Sequence, residues 1–321
     1  MSKRALRSFL ILMFIPAGLL FLNLVGPRGL LDLASEQDRF LFFYLRLPRF
    51  LLAWGVGMSL AVTGAVFQSL FRNPLADPHL IGVSAGAGAG VWICAVFGFS
   101  FSFFPVFAGL GALAVLFLVF LLSMRKGALS MYTLLLLGVM INSFLVSLML
   151  FCQSLFRSDD TAAAFNWLLG NLSMAGYAQI LFLFITLGIV GFFFMRQAPK
   201  LNLLSLGESA ARSLGVSVEK TQILLFIAAA ILTGAAVSLS GMISFVGLMS
   251  PHVARLFVGS DLRRSLPVSA WAGGVLLAGA DMLARSLFYP SEIPVGIVTA
   301  LLGVPFFIVI LKRREGKRVI S

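Results

Sequence analysis

Charge is scarce in this 321-residue chain: 11% of its residues are Asp, Glu, Lys or Arg, against 60% that are hydrophobic. Soluble domains carry about 25% charged residues, so the deficit excludes an ordinary soluble protein and makes lipid the medium for most of the surface. Cysteine is as rare. Cys94 and Cys152 lie inside apolar runs without metal-ligand spacing, which argues against a disulfide or metal role. The two histidines, His79 and His252, each follow a proline, stand far apart and lack clustered acids, a pattern that suits capping or packing better than metal binding. No G-x-x-x-x-G-K-[ST] occurs, so the chain has no P-loop cradle for nucleotide phosphates. Acids are nearly missing from the apolar runs too. Asp281 is the one clear case, with Arg285 four residues on at the spacing of a same-face helix pair. A proton relay usually needs more intramembrane ionisable groups than this.

What the chain does have is length of apolar sequence. Runs of spanning length fall at 6–25, 49–71, 79–99, 104–124, 129–152, 178–195, 221–239, 242–258, 267–288 and 294–311. The first has a basic start, as a signal peptide would, but its apolar core is too long and no A-x-A site follows, so it reads as an uncleaved helix. The predicted fold is therefore an all-α polytopic membrane protein of about ten transmembrane helices, residues 1–321 forming one domain with an inner loop over about 196–220. The net charge of +12 reads as topology signals rather than a nucleic-acid footprint. With both termini cytoplasmic, eighteen of the 24 Lys and Arg fall inside; Arg28, Arg39, Arg46, Arg49, Arg157 and Arg285 fall outside, in line with the positive-inside rule.

VTGAVFQSLFRNPLADPHL (62–80) and LTGAAVSLSGMISFVGLMSPHV (232–253) share T-G-A near the start and P-H near the end. Because these segments run in opposite directions, the echo suggests inverted-repeat-like halves. Gly82–Gly86 reads G-V-S-A-G, a formal match to the nucleophile elbow of serine hydrolases. An elbow needs a preceding strand, a base and an oxyanion hole, none of which is placed for Ser84. The small residues at 82, 84, 86, 88 and 90 instead slim both sides of a helix for close packing. NPLADP, with two prolines and two short polar side chains, predicts a rigid non-helical turn at the inner membrane face and hence a candidate gate. In 196–220, Ser205 and Glu208 have capping-box spacing and Gly215 suits a left-handed helix end, predicting a short helix over 206–214. That helix either lies on lipid headgroups or docks a soluble partner.

RLPRFLLAWGVGMSLAVTGAVFQSLFRNPLADPHLIGVSAGAGAG (46–90), LLLLGVMINS (134–143), NWLLGNLS (166–173), LGESAARSLGV (206–216), GMISFVGLMSPHVARLFVGSDLRRSLP (241–267), ADMLARSLF (280–288) and EIPVGIVTALLGVPFFIVIL (292–311) run in order along nearly the whole chain. Together they resemble the FecCD-like permease subunits of type II ABC importers, which carry iron-siderophores, cobalamin or haem. The resemblance implies a homodimer in a bacterial cytoplasmic (inner) membrane, with the path between the copies, two ATP-binding subunits inside and a substrate-binding protein outside. It implies neither catalysis nor a cofactor on this chain, ATP and Mg belonging to the partner, and no nucleic acid. By similarity Arg46, Arg49 and Arg285 dock the binding protein. The alternatives are a snorkelling anchor for Arg46 and Arg49, and the Asp281 pair for Arg285. Asn73 and Leu75, with Met131 and Tyr132, fall at the family's cytoplasmic gates, the last two fitting packing equally. Ser205, Glu208, Ala211, Arg212, Leu214 and Gly215 fall on its ATPase-coupling element. Iron-siderophore is the expected cargo, as the commonest in the family. The rivals are a secondary carrier, a channel and an intramembrane hydrolase.

Overall fold

Lipid offers no hydrogen bonds, so an apolar run has to satisfy its backbone internally. The computed structural model of the chain meets this demand with helices. It describes residues 18–19, 25–26, 29–30, 35–125, 128–155, 159–172, 176–287 and 291–318. Among these are eleven helices: α1 (Glu36–Leu70, with a π-helical stretch at Leu41–Arg46), α2 (Val83–Val96), α3 (Phe104–Ser123), α4 (Met131–Leu155), α5 (Asp159–Leu168), α6 (Tyr177–Ser205), α7 (Glu208–Ser213), α8 (Val218–Ser240), α9 (Val246–Val258), α10 (Leu262–Ser286) and α11 (Val295–Arg318). Among the described residues strands are limited to two antiparallel pairs of two residues each, the second of them in the α3–α4 turn. Helices α1, α3, α4, α6, α8 and α10 are long and apolar enough to cross a bilayer, and α2, α9 and Val295–Ile310 are shorter apolar helices. The fold is all-α and polytopic.

Nine of the ten expected runs are helical, while the first, 6–25, lies almost wholly outside the described residues. Several boundaries differ. Helix α1 starts at Glu36 rather than 49, which puts Arg39 and Arg46 on a helix instead of in a loop. Helix α6 runs to Ser205, ten residues past the expected 195. Its Pro199 removes one backbone bond without breaking it, and Arg196 lays its guanidinium 5.3 Å from the Phe192 ring, so basic residues continue the helix where they were read as a loop. Helices α2 and α9 have 14 and 13 residues. At ~1.5 Å per residue each falls short of a ~30 Å hydrocarbon core.

Burial sorts the helices. From Phe50 to Leu70 nearly every residue of α1 is buried. Small residues allow this: a Cβ at Gly57 would collide with the Gly273 carbonyl of α10, and one at Gly64 with the Gly247 carbonyl of α9. The buried hydroxyls of Ser59 and Thr63 donate to carbonyls of their own helix, Gly55 O at 2.7 Å and Ser59 O at 2.9 Å. In α3, α4 and α6, by contrast, Leu110, Phe117, Phe144, Phe151, Phe182 and Phe192 are exposed. Such a surface suits acyl chains and would aggregate in water.

The glycine-rich α2 behaves as its composition predicts. Gly86 and Gly90 press on the backbone of α3 at Gly111 and Phe107, while Gly88 faces Leu168 of α5 and Met149 of α4. Ser84 is 1% exposed inside this helix rather than presented on a strand-to-helix turn, which removes the elbow geometry. The two T-G-A runs pair as α1 and α8 in antiparallel sense: Phe67 lies 6.2 Å from Phe226, while Leu52 and Val56 share a cluster with Ala235 and Leu239. Each leads through a break in the α-helix, the first holding a 3-10 turn at Pro78–Ile81, into a short apolar helix.

Hydropathy missed a junction. Helix α5, DDTAAAFNWL, is too short and polar for a spanning window, yet the residues following it knit two distant breaks together. Met242 N–H donates to Leu168 O (3.3 Å), Asn171 N–H to Ser240 O (2.9 Å), Val295 N–H to Gly170 O (3.3 Å) and Gly296 N–H to Leu169 O (3.2 Å). Gly170 (φ 94°) and Gly241 (φ 71°) supply backbone conformations that side-chain-bearing residues rarely adopt. Irregular backbone at depth persists because these groups satisfy one another.

Candidate functional site

The helices gather the candidate residues at two ends. Arg46, Arg49 and Arg285 meet at one, with Asp281 and Glu292. Arg49 Nε donates to Asp281 Oδ1 (2.9 Å) and Oδ2 (3.2 Å), its Nη2 lies 2.9 Å from Oδ1, and its Nη1 donates to Glu292 Oε2 at 2.8 Å. Arg285 Nε lies 3.1 Å from Asp281 Oδ2. Asp281 is 1% exposed and holds two arginines, whereas Glu292 is 53% exposed. The pairing of Arg285 with Asp281 is thus present, and Arg49 shares the same acid. Separations of 232 and 243 residues hid the Arg49 contacts from any local pattern. A polar cavity of about 250 Å³ adjoins this cluster, lined by Arg49, Glu292, Asn166 and Asn171 among others.

The opposite end carries loops. Antiparallel packing of α2 on α3, and the approach of Gly82 to Gly138 and Ile141, place the start of α4 beside the NPLADP turn. Gly207, before α7, lies near Arg72 Nη1. Asn73, Leu75, Met131, Tyr132 and the α7 segment therefore share one end of the bundle. Asn73 Oδ1 accepts Leu75 N–H at 2.9 Å, a local turn that leaves Leu75 47% exposed; Tyr132 is 78% exposed.

Asp77, in the same turn, reaches further. Its Oδ1 accepts His79 N–H and its Oδ2 accepts Phe245 N–H, both at 3.1 Å. Phe245 takes a left-handed backbone (φ 69°), uncommon for a bulky residue, and its ring lies where a Cβ at Gly303 of α11 would fall. Gln68 adds bonds to the Gly247 and Leu248 carbonyls and receives one from Arg255.

The α7 segment departs from expectation at its start and matches it at its finish. Helix α7 spans Glu208–Ser213, shorter than 206–214, and Gly207 (φ 123°) precedes it without a side-chain cap. Ser205 is not an N-cap, because it is the last residue of α6, and its Oγ donates back to Asn202 O at 2.6 Å. Glu208 instead accepts from Gln222 Nε2 (3.1 Å). At the far end Gly215 (φ 83°) is left-handed, with Gly215 N–H to Arg212 O and Val216 N–H to Ala211 O, each 3.0 Å, a Schellman closure. Arg212 lies 2.6 Å from Glu219 and 3.9 Å from Glu208. Ala211 is fully buried, while Leu206 and Leu214 stand 72% and 62% exposed on either side of α7. Nearby, Asp261 caps α10 by accepting from Arg263 N–H (3.0 Å) and takes a bond from Asn202 Nδ2 (2.7 Å). These two bonds, Asn202 foremost, hold its carboxyl below the usual carboxylate range.

Between the ends lies a mostly apolar cavity of about 590 Å³, walled by Gly296, Ala300, Val304 and Pro305 of α11, by Leu168 and Leu169, and by His79 and Ser244. His79 thus pairs its backbone with Asp77 and turns toward a cavity, while His252 packs edge-on to Phe306 at 6.2 Å.

A helical membrane bundle with a charged face at one end, a braced loop at the other and a cavity between is the build of a permease. The chain belongs to the FecCD transport family, which matches residues 9–313, and is an ABC transporter permease. The hemin transport system permease protein HmuU of Yersinia pestis is 42% identical over 282 residues, 84% of this chain and 83% of that protein. The cobalamin import system permease protein BtuC of Halobacterium salinarum is 40% identical over 273 residues, 84% of this chain and 73% of that protein. Among solved structures, an inward-facing conformation of a metal-chelate type ABC transporter superimposes with a TM-score of 0.87 at 31% identity, covering 96% of this chain and 99% of that one.

Proposed function

We propose that this chain is the membrane subunit of an ATP-driven importer of metal chelates, iron-siderophore first among them, built of ten spans in inverted-repeat-like halves. It works as a homodimer in a bacterial inner membrane with both termini cytoplasmic. The observation that carries this reading is the cavity walled by α11, α5 and the 242–244 break: it is mostly apolar and opens at the surface of this chain, where a second copy would enclose it. The loop end faces the cytoplasm. There Leu206, Arg212, Leu214 and Gly215 seat an ATP-binding subunit over the buried Ala211, and Asn73 and Leu75, with Met131 and Tyr132, close the path. Arg46, Arg49 and Arg285 face a substrate-binding protein, where charge complementarity steers docking more than it adds affinity. The chain itself supplies two alternative exposures of the cavity, and nucleotide state on the partner shifts the balance between them.

Proteoliposomes with this chain, its ATP-binding subunit and its binding protein should take up iron-siderophore, cobalamin or haem only when ATP is inside. Equal uptake without the ATP-binding subunit would replace this reading with a secondary carrier. Ser84→Ala should retain uptake; its loss would revive the hydrolase.

A further inference from the structure

Arg49 lives in two environments at once. Its Nε and Nη2 are bound to Asp281, which is 1% exposed and also held by Arg285. Its Nη1 is bound to Glu292, which is 53% exposed. The two arms differ in strength for the same reason. Removing the buried partner strands two guanidinium charges away from water, whereas an exposed carboxylate trades one hydrogen bond for another at little cost. Only the outer arm is exchangeable.

We propose that Glu292 is a stand-in ligand, holding Arg49 Nη1 until a carboxylate of the external binding protein displaces it. The inference rests on the docking role proposed above for Arg46, Arg49 and Arg285. Three features favour it. Glu292 belongs to the non-helical residues 291–294 ahead of α11, whose backbone is anchored just after it, Ile293 N–H to Ala284 O at 3.2 Å and Val295 N–H to Gly170 O at 3.3 Å. Its side chain can swing while the chain stays fixed. The 250 Å³ cavity beside it, with Arg49, Asn166 and Asn171 in its wall, supplies room and donors for an incoming acid. The charges also fit: release of Glu292 turns Arg49 Nη1 toward the acid that arrives.

A displaced competitor and a supporting brace respond oppositely to removal. The test measures dissociation, at low ionic strength, of the external binding protein from the intact permease and ATP-binding complex in nanodiscs. Glu292→Gln keeps an acceptor for Nη1 and lacks the charge; it should slow dissociation about fivefold, the weight of one exposed ion pair. Glu292→Asp, too short to reach Nη1, should slow it as well, and both variants should melt with the wild type. Unchanged or faster dissociation from both would overturn the exchange. Failure of the wild-type complex to bind at all would instead overturn the docking role.

Discussion

The two ends of this molecule are held by different physics. At the ion-pair end, residues more than two hundred positions apart are joined through one nearly buried carboxylate. At the loop end local devices join in: an Asn73 turn, a Schellman closure at Gly215 and an Asp261 cap, each within six residues, stand beside the bonds by which Asp77 and Gln68 reach Phe245 and Gly247. Ion pairing out of water is costly to break but sensitive to any lost partner, whereas local turns fail singly and cheaply. A rigid charged face suits a surface met from outside. Local turns tied together by a few long-range bonds suit a segment that has to move as a unit.

Substitutions can break this contrast, in descending order of effect. Asp281→Ala should cost about 3–5 kcal/mol, because both Arg49 and Arg285 lose their buried partner. Thermal melting in detergent checks it, and adding Arg49→Leu and Arg285→Leu should recover part of the loss. No recovery would mean that the acid matters through packing instead. Between the ends, Gly64→Ala should cost up to about 3 kcal/mol by forcing α1 off α9. At the loop end, Gly215→Ala meets open space, so its cost is conformational alone, about 1–2 kcal/mol. It should uncouple ATP hydrolysis from uptake more than it lowers the melting temperature. Arg212→Ala breaks exposed pairs and should shift stability by less than about 1 kcal/mol. Smallest is the acid response of Asp261. Its carboxyl is held below the ordinary value, so its contribution is present above about pH 4 and lost as pH falls. Asp261→Asn should flatten that slope in melts between pH 6 and pH 3.

Legibility in the sequence follows the same divide. The apolar runs, the left-handed Gly215 and the slim faces of α2 were readable because each is set by neighbours within a turn or two. Ser205 shows the limit of local reading. Its spacing to Glu208 is that of a capping box, but the preceding helix persists through Pro199, so the serine is a helix end rather than a start. Helix α5 escaped because ten residues beginning with two aspartates form no apolar window, though its C-terminal carbonyls organise two breaks. Glu292 escaped because nothing near it in sequence names Arg49. The Arg285 and Asp281 spacing did announce itself, being i and i+4 on one helix.

The carboxylate of Asp77 has a consequence of its own. It ties the first chain break to Phe245, and the Phe245 ring rests on α11 at Gly303, so three segments far apart in sequence share a single mechanical linkage. Coupling of this kind runs both ways. A displacement of the α11 wall at Gly303 is felt at the Asp77 turn as surely as a tug on that turn is felt at the wall.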